Sequence, residues 1–357
     1  MTGFTFDAEA SRVIFGEGCL AQIPHEIERL GAARVMLVST PGRSSLTERA
    51  RELAGNAVVE LFDRAVVHVP QEVAISARNR ATDSKADVII ALGGGAAIGV
   101  AKAIALTTSL PIIAVPTTYA GSEMTPIWGL TEEGRKETGR NPRVQPRVVI
   151  YDPDLTLSLS ARATACSGLN AIAHSIEALY ASDANPLTTA AAREGLALLS
   201  SSLAQLVAAP EDRAQRALAL RGAWLAGYSL GTVQMGLHHK LCHTLGGAFD
   251  LPHADLHAVL LPYTTAYNRD AAADAMRLAA STLGVEDAPS ELLSLARTID
   301  APLSLREIGM REEDLSHAAS LAMERRYPNP AVLTLEGIRV LLSAAYHGDG
   351  DYVTAFD

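Results

Sequence analysis

The chain has 357 residues, 48% of them hydrophobic and 20% charged, with a formal net charge of −10. At roughly 150 residues per domain, that length and balance imply two domains with a sizeable core. An acidic chain with no block of basic residues is excluded as a non-specific nucleic-acid binder, and no stretch approaches the roughly 20 apolar residues of a membrane span.

The opening MTGFTFDAEASRVIFGEG is polar and lacks the basic start and apolar centre of a signal peptide. Cys19, Cys166 and Cys242 are odd in number, far apart and in no pairing motif, so a reduced, cytoplasmic protein is expected. Short apolar runs then alternate with amphipathic stretches. RVMLVST (34–40), VVELFDR (58–64), DVIIALGGG (87–95), PIIAVPTT (111–118) and RVVIYDP (147–153) read as buried parallel strands. SLTERARELAG, PQEVAISARNRATDSK and AIGVAKAIALTT between them read as helices, giving a doubly wound α/β sheet. Residues 1–157 are assigned to this Rossmann-like domain. From 158 to 357 the chain is rich in Ala and Leu and reads as all-helical, with breaks near Asn185-Pro186, Ala209-Pro210, the Gly246-Gly247 pair and Ala301-Pro302. The closing HGDGDYVTAFD reads as a loose tail.

In ALGGGAAIGVAKAIA a strand runs into Gly93, Gly94, Gly95 and Ala96 and then a helix. Glycines there let backbone approach a pyrophosphate, and a helix N-terminus offers unpaired N–H groups. The pattern is not G-x-G-x-x-G, and a tight turn without a ligand is its plain alternative. The next strand ends in VPTTYAGSEMT, where Thr117 and Thr118 supply hydroxyls. Two such loops on neighbouring strand ends mark a dinucleotide site. The loop Ser39-Thr40-Pro41-Gly42-Arg43 carries no acid for a ribose 2′-hydroxyl, so both NADH and NADPH are expected to bind.

Five of the ten histidines lie between 238 and 257, in HHKLCHTLGGAFDLPHADLH. His239 and His243 are spaced i, i+4, as are Asn170 and His174 in GLNAIAHSIEAL, so each pair shares a helix face. His253 follows the Gly-Gly pair and Pro252, where a turn is expected. One histidine on an apolar helix is more often a satisfied core residue than a ligand. His25, His68, His317 and His347 are read as structural or surface residues, and His257 as either. Four imidazoles on apolar elements are costly to bury without partners, so His174, His239, His243 and His253 are read as a functional pocket. With a carboxylate such a set holds Zn²⁺ or Fe²⁺ as a Lewis acid, but the fourth position is the neutral Asn170. In the metal-free alternative the histidines and Lys240 stabilise a developing oxyanion and donate a proton.

GGG…AK (93–102), PTTYAGSE (116–123), YDPDLT (151–156), GLNAIAHSIEA (168–178) and HHKLCHTLGG…PHADLHAVLLP (238–262) stand in the order and spacing of the iron-containing (group III) alcohol dehydrogenases. The chain resembles that family over nearly its whole length. The resemblance implies a dehydroquinate-synthase-like plan: a Rossmann-like N-terminal domain, an all-α C-terminal domain and NAD(P)-dependent hydride transfer in the cleft between them. It implies metal positions at Asn170, His174, His239 and His253, a proton donor at His243 near the nicotinamide and a cofactor-side lysine at Lys136. Family members carry Asp where this chain has Asn170, so metal is not expected to be required. NAIAHSIEALYA, HHKLCH and PHADLHAV further resemble the branch that reduces the C=C bond of a small unsaturated keto-dicarboxylate in aromatic-compound degradation. Lys240 would then line the substrate pocket, and Arg140, Arg143 and Lys136 lie on the mobile-looking GRKETGRNPRV stretch, where each alone reads better as part of a solvated loop. The family's dimers imply a homodimer. The other readings are a metal-dependent alcohol dehydrogenase, a dehydroquinate-synthase-like lyase with recycled NAD and a non-catalytic dinucleotide sensor.

Overall fold

A computed structural model describes residues 11–42, 44–132 and 135–355. It divides into two compact units that meet in sequence between Ser158 and Leu159.

The first unit is built from aliphatic, β-branched runs that are apolar on both faces, as strands buried within a parallel sheet require. The strands in chain order are β1 (Arg12–Phe15), β2 (Val35–Ser39), β3 (Val58–Phe62), β4 (Val88–Gly93) and β5 (Ile112–Pro116), then β6 (Ile127–Glu132) and β7 (Arg135–Arg140), which lie outside the main sheet, and β8 (Val148–Tyr151). The intervening helices are α1 (Ile23–Arg29), α2 (Ser44–Ala54), α3 (Gln71–Asp83) and α4 (Gly95–Thr108). The main sheet has the order β1-β8-β5-β4-β2-β3 and is parallel throughout. Val35, Leu37, Val88, Ile90, Ile113 and Val115 bury one face together with Ile23, Ile27 and Ala50 of α1 and α2. The alternate residues, among them Met36, Val38, Ile89, Ala91 and Ala114, are equally buried on the other face, where α4 packs. From β2 the chain runs to the β3 edge; from β4 it runs the opposite way, to β5. The carboxyl ends of β2 and β4 therefore flank the switch point of the sheet, where α/β folds bind their ligands.

Several elements here, α1, β1, β6 and β7 among them, are absent from the sequence reading. RVIF is too short to signal a strand, yet it completes the sheet by pairing Arg12–Phe15 with Val148–Tyr151. The stretch expected to be a mobile loop forms β7, which pairs with β6 as an antiparallel hairpin. Trp128 lies over Gly139, where a Cβ would come within 2.8 Å of the ring.

The second unit is helical. It comprises α5 (Ala161–Tyr180), α6 (Pro186–Ala208), α7 (Arg213–Thr232), α8 (Leu237–Phe249) and α9 (His253–Tyr267), then α10 (Ala273–Leu283), α11 (Ala288–Thr298), α12 (Leu315–Met323), α13 (Leu335–His347) and α14 (Gly350–Thr354). No helix among the described residues is long and apolar enough to cross a membrane. α5 is the central helix, buried on every side from Thr164 to Leu179. Asn185 starts α6 with a reciprocal capping box to Thr188 and Pro186 at the first helical position. α6 and α7 approach closely through small residues, and a Cβ on Gly195 would lie 3.1 Å from the carbonyl oxygen of Gly222.

Three expectations fail in this unit. Gly246 and Gly247 do not break the chain but lie inside α8, whose apolar face, including Leu241 and Leu245, is fully buried. Packing there overrides the roughly 1 kcal/mol that each helical glycine costs. The turn comes at Asp250, with φ of 52°, and Pro252 precedes the first residue of α9, so His253 opens a helix rather than sitting on a turn. The expected loose tail contains α14, with Val353 fully buried. Arg269 ties it down through the carbonyls of Val353 and Ala355 while paired with Asp287.

Lys102, fully buried in α4, holds the loop after β5 against the sheet. Its Nζ donates to the carbonyls of Ser122 (2.6 Å), Thr125 (2.7 Å) and Ile127 (2.8 Å), and lies 2.9 Å from the Thr125 hydroxyl. Lys102→Met keeps the length of the stem but leaves those acceptors buried without a donor. It is expected to cost about 3 kcal/mol, read as a lowered denaturant midpoint with an unchanged slope.

Candidate active site

In the α/β unit the glycine-rich turn closes β4 at the switch point. Gly93 has φ of 142°, a conformation that L side chains rarely adopt. Gly94 caps α4, and a Cβ there would lie 2.8 Å from Thr118 Cγ2, so the two loops interlock. Gly95 faces open space. No side chain caps α4, which leaves the N–H groups of Gly95 and Ala96 directed outward. Thr117 donates its backbone N–H to the Gly93 carbonyl (3.2 Å), while its hydroxyl is buried without a hydrogen-bond partner. Ser39 ends β2 next to this turn, its hydroxyl accepting from Thr47 at 3.3 Å, and Thr40 follows it. A shallow glycine cradle, open N–H groups and an unsatisfied hydroxyl fit a dinucleotide phosphate. Arg43 lies outside the described residues; Lys136 is on β7, but its side chain is not described. Arg143 belongs elsewhere. With Arg12, Arg29 and Arg147 it lines a cavity of about 760 Å³ beside the residues that start β1, β5 and β8, at the opposite end of the sheet from the glycine turn.

In the helical unit three helices bring six imidazoles together. α5 presents Asn170, His174 and Glu177 at i, i+4 and i+7 on one buried face. α8 contributes His238, His239 and His243, and α9 contributes His253 and His257. The His174 ring stacks on His239 with centroids 5.0 Å apart, and His243 stacks on His253 at 5.7 Å. His257 packs edge-on against His239 (5.0 Å) and His253 (4.6 Å). The rings are hydrogen-bonded in series. Thr264 Oγ1 lies 2.9 Å from His238 Nδ1, His238 Nε2 is 2.8 Å from His257 Nδ1, and His257 Nε2 is 3.2 Å from His253 Nε2. A buried carboxylate anchors the other side, with Glu177 Oε2 2.5 Å from His239 Nδ1 and Oε1 accepting the backbone N–H of His238 at 2.9 Å.

Burial keeps His174 and His257 neutral, pushing both well below the usual imidazole range, with the neighbouring imidazoles adding to the effect. Burial likewise takes His238 down to about 3, against the opposing pull of Glu177. Burial of Glu177 opposes its ionisation, but His239 and the His238 N–H outweigh it and hold the carboxyl below its usual value. Asn170 Oδ1, His174 Nδ1 and His239 Nε2 are buried with no hydrogen-bond partner in the protein. Those atoms belong to metal positions implied by the family resemblance, yet the set does not fit a tightly held divalent ion. Asn170 brings no charge, and among the described residues only His238, Cys242 and His257 place three His, Cys, Asp or Glu donor atoms within 4.8 Å of one another. The donors of that trio are engaged with each other, His238 with both His257 and Cys242.

The structure thus brings the rings of His174, His239, His243 and His253 together and puts His257 in the same network, with Asn170 one turn before His174 on α5. Lys240 is half-buried on α8 with its ammonium 5.9 Å above the Tyr327 ring, where burial and Arg325 lower its pKa against Glu324. Sequence reasoning misses Glu177, His238 and Thr264. Glu177 was within reach, since it stands three residues after His174 on the same helical face. His238 and Thr264 carry no such signal, because their partners come from other turns and helices.

The buried rings make stability depend on pH. The unfolded chain protonates His174, His238 and His257 below about 6.5, whereas the folded chain does not. Stability is therefore expected to fall as pH drops below that value, by roughly 1 kcal/mol per pH unit for each ring. Glu177 adds to the loss as pH falls through its lowered value. Urea midpoints at pH 7.5 and 5.5 check this, and equal midpoints would mean that the rings protonate in place.

Residues 10–153 match the family described as iron-containing alcohol dehydrogenase, and residues 164–346 match its C-terminal domain. The maleylacetate reductase of Burkholderia cepacia is 51% identical over 348 residues, covering 98% of this chain and 99% of that protein. The crystal structure of maleylacetate reductase from Agrobacterium tumefaciens superposes with a TM-score of 0.93 at 44% identity, covering 98% of this chain and 99% of that one. An iron-containing alcohol dehydrogenase structure from Corynebacterium glutamicum superposes with a TM-score of 0.94 at 41% identity, covering 99% of this chain and 100% of that one. With both halves matched in order and the full length shared with such relatives, the chain belongs to the iron-containing alcohol dehydrogenase family.

Proposed function

We propose that this chain reduces the C=C bond of maleylacetate to give 3-oxoadipate, with NADH or NADPH as reductant. The observation that carries this reading is the pocket itself. It is a cluster of imidazoles, of which His174, His238 and His257 are held neutral by burial, backed by one buried carboxylate, with an amide at the position where the family has an acid. Identity of about half to maleylacetate reductases over the full length supports the choice of substrate.

When bound, the nicotinamide supplies a hydride. The hydride joins the alkene carbon β to the ketone, the π pair moves into an enolate, and a proton adds to the α carbon. The protein has to orient the dicarboxylate, hold the enolate oxygen and deliver that proton. An N–H presented by rings other than His239, whose Nδ1 faces Glu177, suits the second task, and His243, stacked on His253, is our candidate for the third. Lys240 is the candidate anchor for a substrate carboxylate. The turn at Gly93, Gly94, Gly95 and Ala96, with Ser39, Thr40, Thr117 and Thr118, would hold the dinucleotide, and Lys136 stands on the adjoining hairpin. With no acid in the Ser39-Thr40 loop, both cofactors are expected to serve.

The test is NADH oxidation on maleylacetate by protein freed of metal with a chelator. Turnover to 3-oxoadipate without added metal is expected. Activity that returns only with Fe²⁺ or Zn²⁺ would support a Lewis-acid reading instead. His243→Ala is expected to lower kcat by about 10² or more with little change in the KM for NADH, and full turnover would remove His243 as proton donor.

A further inference from the structure

Glu177 is a fully buried acid whose two oxygens have separate duties. Oε1 accepts the backbone N–H of His238 at 2.9 Å, with the Tyr180 hydroxyl 3.3 Å away. Oε2 faces His239 Nδ1 at 2.5 Å. An ionised carboxylate only accepts hydrogen bonds, so it requires a proton on Nδ1 of His239. In the neutral ring that leaves the lone pair on Nε2. This atom is buried and has no partner in the protein, as are Asn170 Oδ1 and Nδ1 of His174, whose ring stacks on His239 at 5.0 Å.

We propose that Glu177 is a positioning residue for the reduction. It holds His239 in the Nδ1–H tautomer and in one plane, so that Nε2 is the ring atom that meets the substrate. The assignment rests on the reading of this pocket as the site of maleylacetate reduction. The backbone makes the arrangement one-directional. The His238 N–H must find an oxygen, so in Glu177→Gln the amide oxygen stays on that side and the NH₂ turns to His239 Nδ1. A donor there drives the ring proton to Nε2. One atom is exchanged, the packing is kept, and the tautomer is inverted.

The experiment reads tautomer and kinetics on the same proteins. Histidine ring ¹⁵N spectra, with His239 assigned by its loss in His239→Gln, are recorded for wild type, Glu177→Gln and Glu177→Asp, together with kcat, KM and melting curves. Wild type is expected to carry the His239 proton on Nδ1, and Glu177→Gln on Nε2. Glu177→Gln should lose about 10²-fold or more in kcat while the KM for NADH stays within about twofold. Glu177→Asp keeps an acceptor-only group and should retain the Nδ1–H form and more activity than the Gln variant. Three results overturn the proposal: an Nε2–H ring in wild type, wild-type kcat in Glu177→Gln, or a fall in kcat without a change of tautomer. The wild-type spectrum decides the point even where a variant fails to fold. Wild type inactive on maleylacetate sinks the substrate reading and Glu177's part in it, whereas the spectra separately decide whether Glu177 sets His239.

Discussion

The helical unit depends on the contact between Glu177 and the start of α8. One carboxylate, buried in α5, takes the backbone N–H of His238 with one oxygen and the ring of His239 with the other. A buried carboxylate without such partners would give up its charge. Here its partners keep it ionised, and in return it fixes where α8 begins relative to α5 and how the His239 ring is turned. A helix whose first turn is pinned in this way can carry two adjacent histidines inward, although neighbouring residues on a helix lie about 100° apart.

Around that anchor His174, His238 and His257 are accommodated by being neutral. The series from Thr264 through His238 and His257 to His253 gives each buried ring partners in the chain of hydrogen bonds, so no cationic ring has to be buried there. The consequence is a pocket that is polar but carries little charge of its own. Such a site suits a reaction that passes through an enolate, because neutral donors can strengthen their bonds to a developing oxyanion without having bound the ground state as tightly.

The α/β unit uses the same device with the opposite sign. Lys102, a buried cation, is enclosed by carbonyls of one loop, and that loop carries Thr117 and Thr118 to the glycine turn. In both units one buried charge organises backbone next to the region where chemistry is proposed. The surrounding polar atoms left unsatisfied, Thr117 Oγ1 in one unit and His239 Nε2 in the other, are where a bound molecule would supply the missing partners.

Composition and periodicity alone settled much of this protein. Short aliphatic, β-branched runs alternating with amphipathic stretches read as strands of a covered parallel sheet, and the i, i+4 spacing of Asn170 with His174 and of His239 with His243 needs only helical geometry. The order of the motifs was enough to place the chain near its family. Tertiary structure decided the rest. RVIF becomes a strand because β8 offers an edge, Gly246 and Gly247 stay helical because their neighbours are buried, and the C-terminal segment is ordered because Arg269 reaches its carbonyls. The same holds for the pairing of Glu177 with His239 and for His238, His257 and Thr264. A sequence shows which residues share a helix face, but the protonation state and tautomer of a buried ring are set by atoms that arrive from other helices.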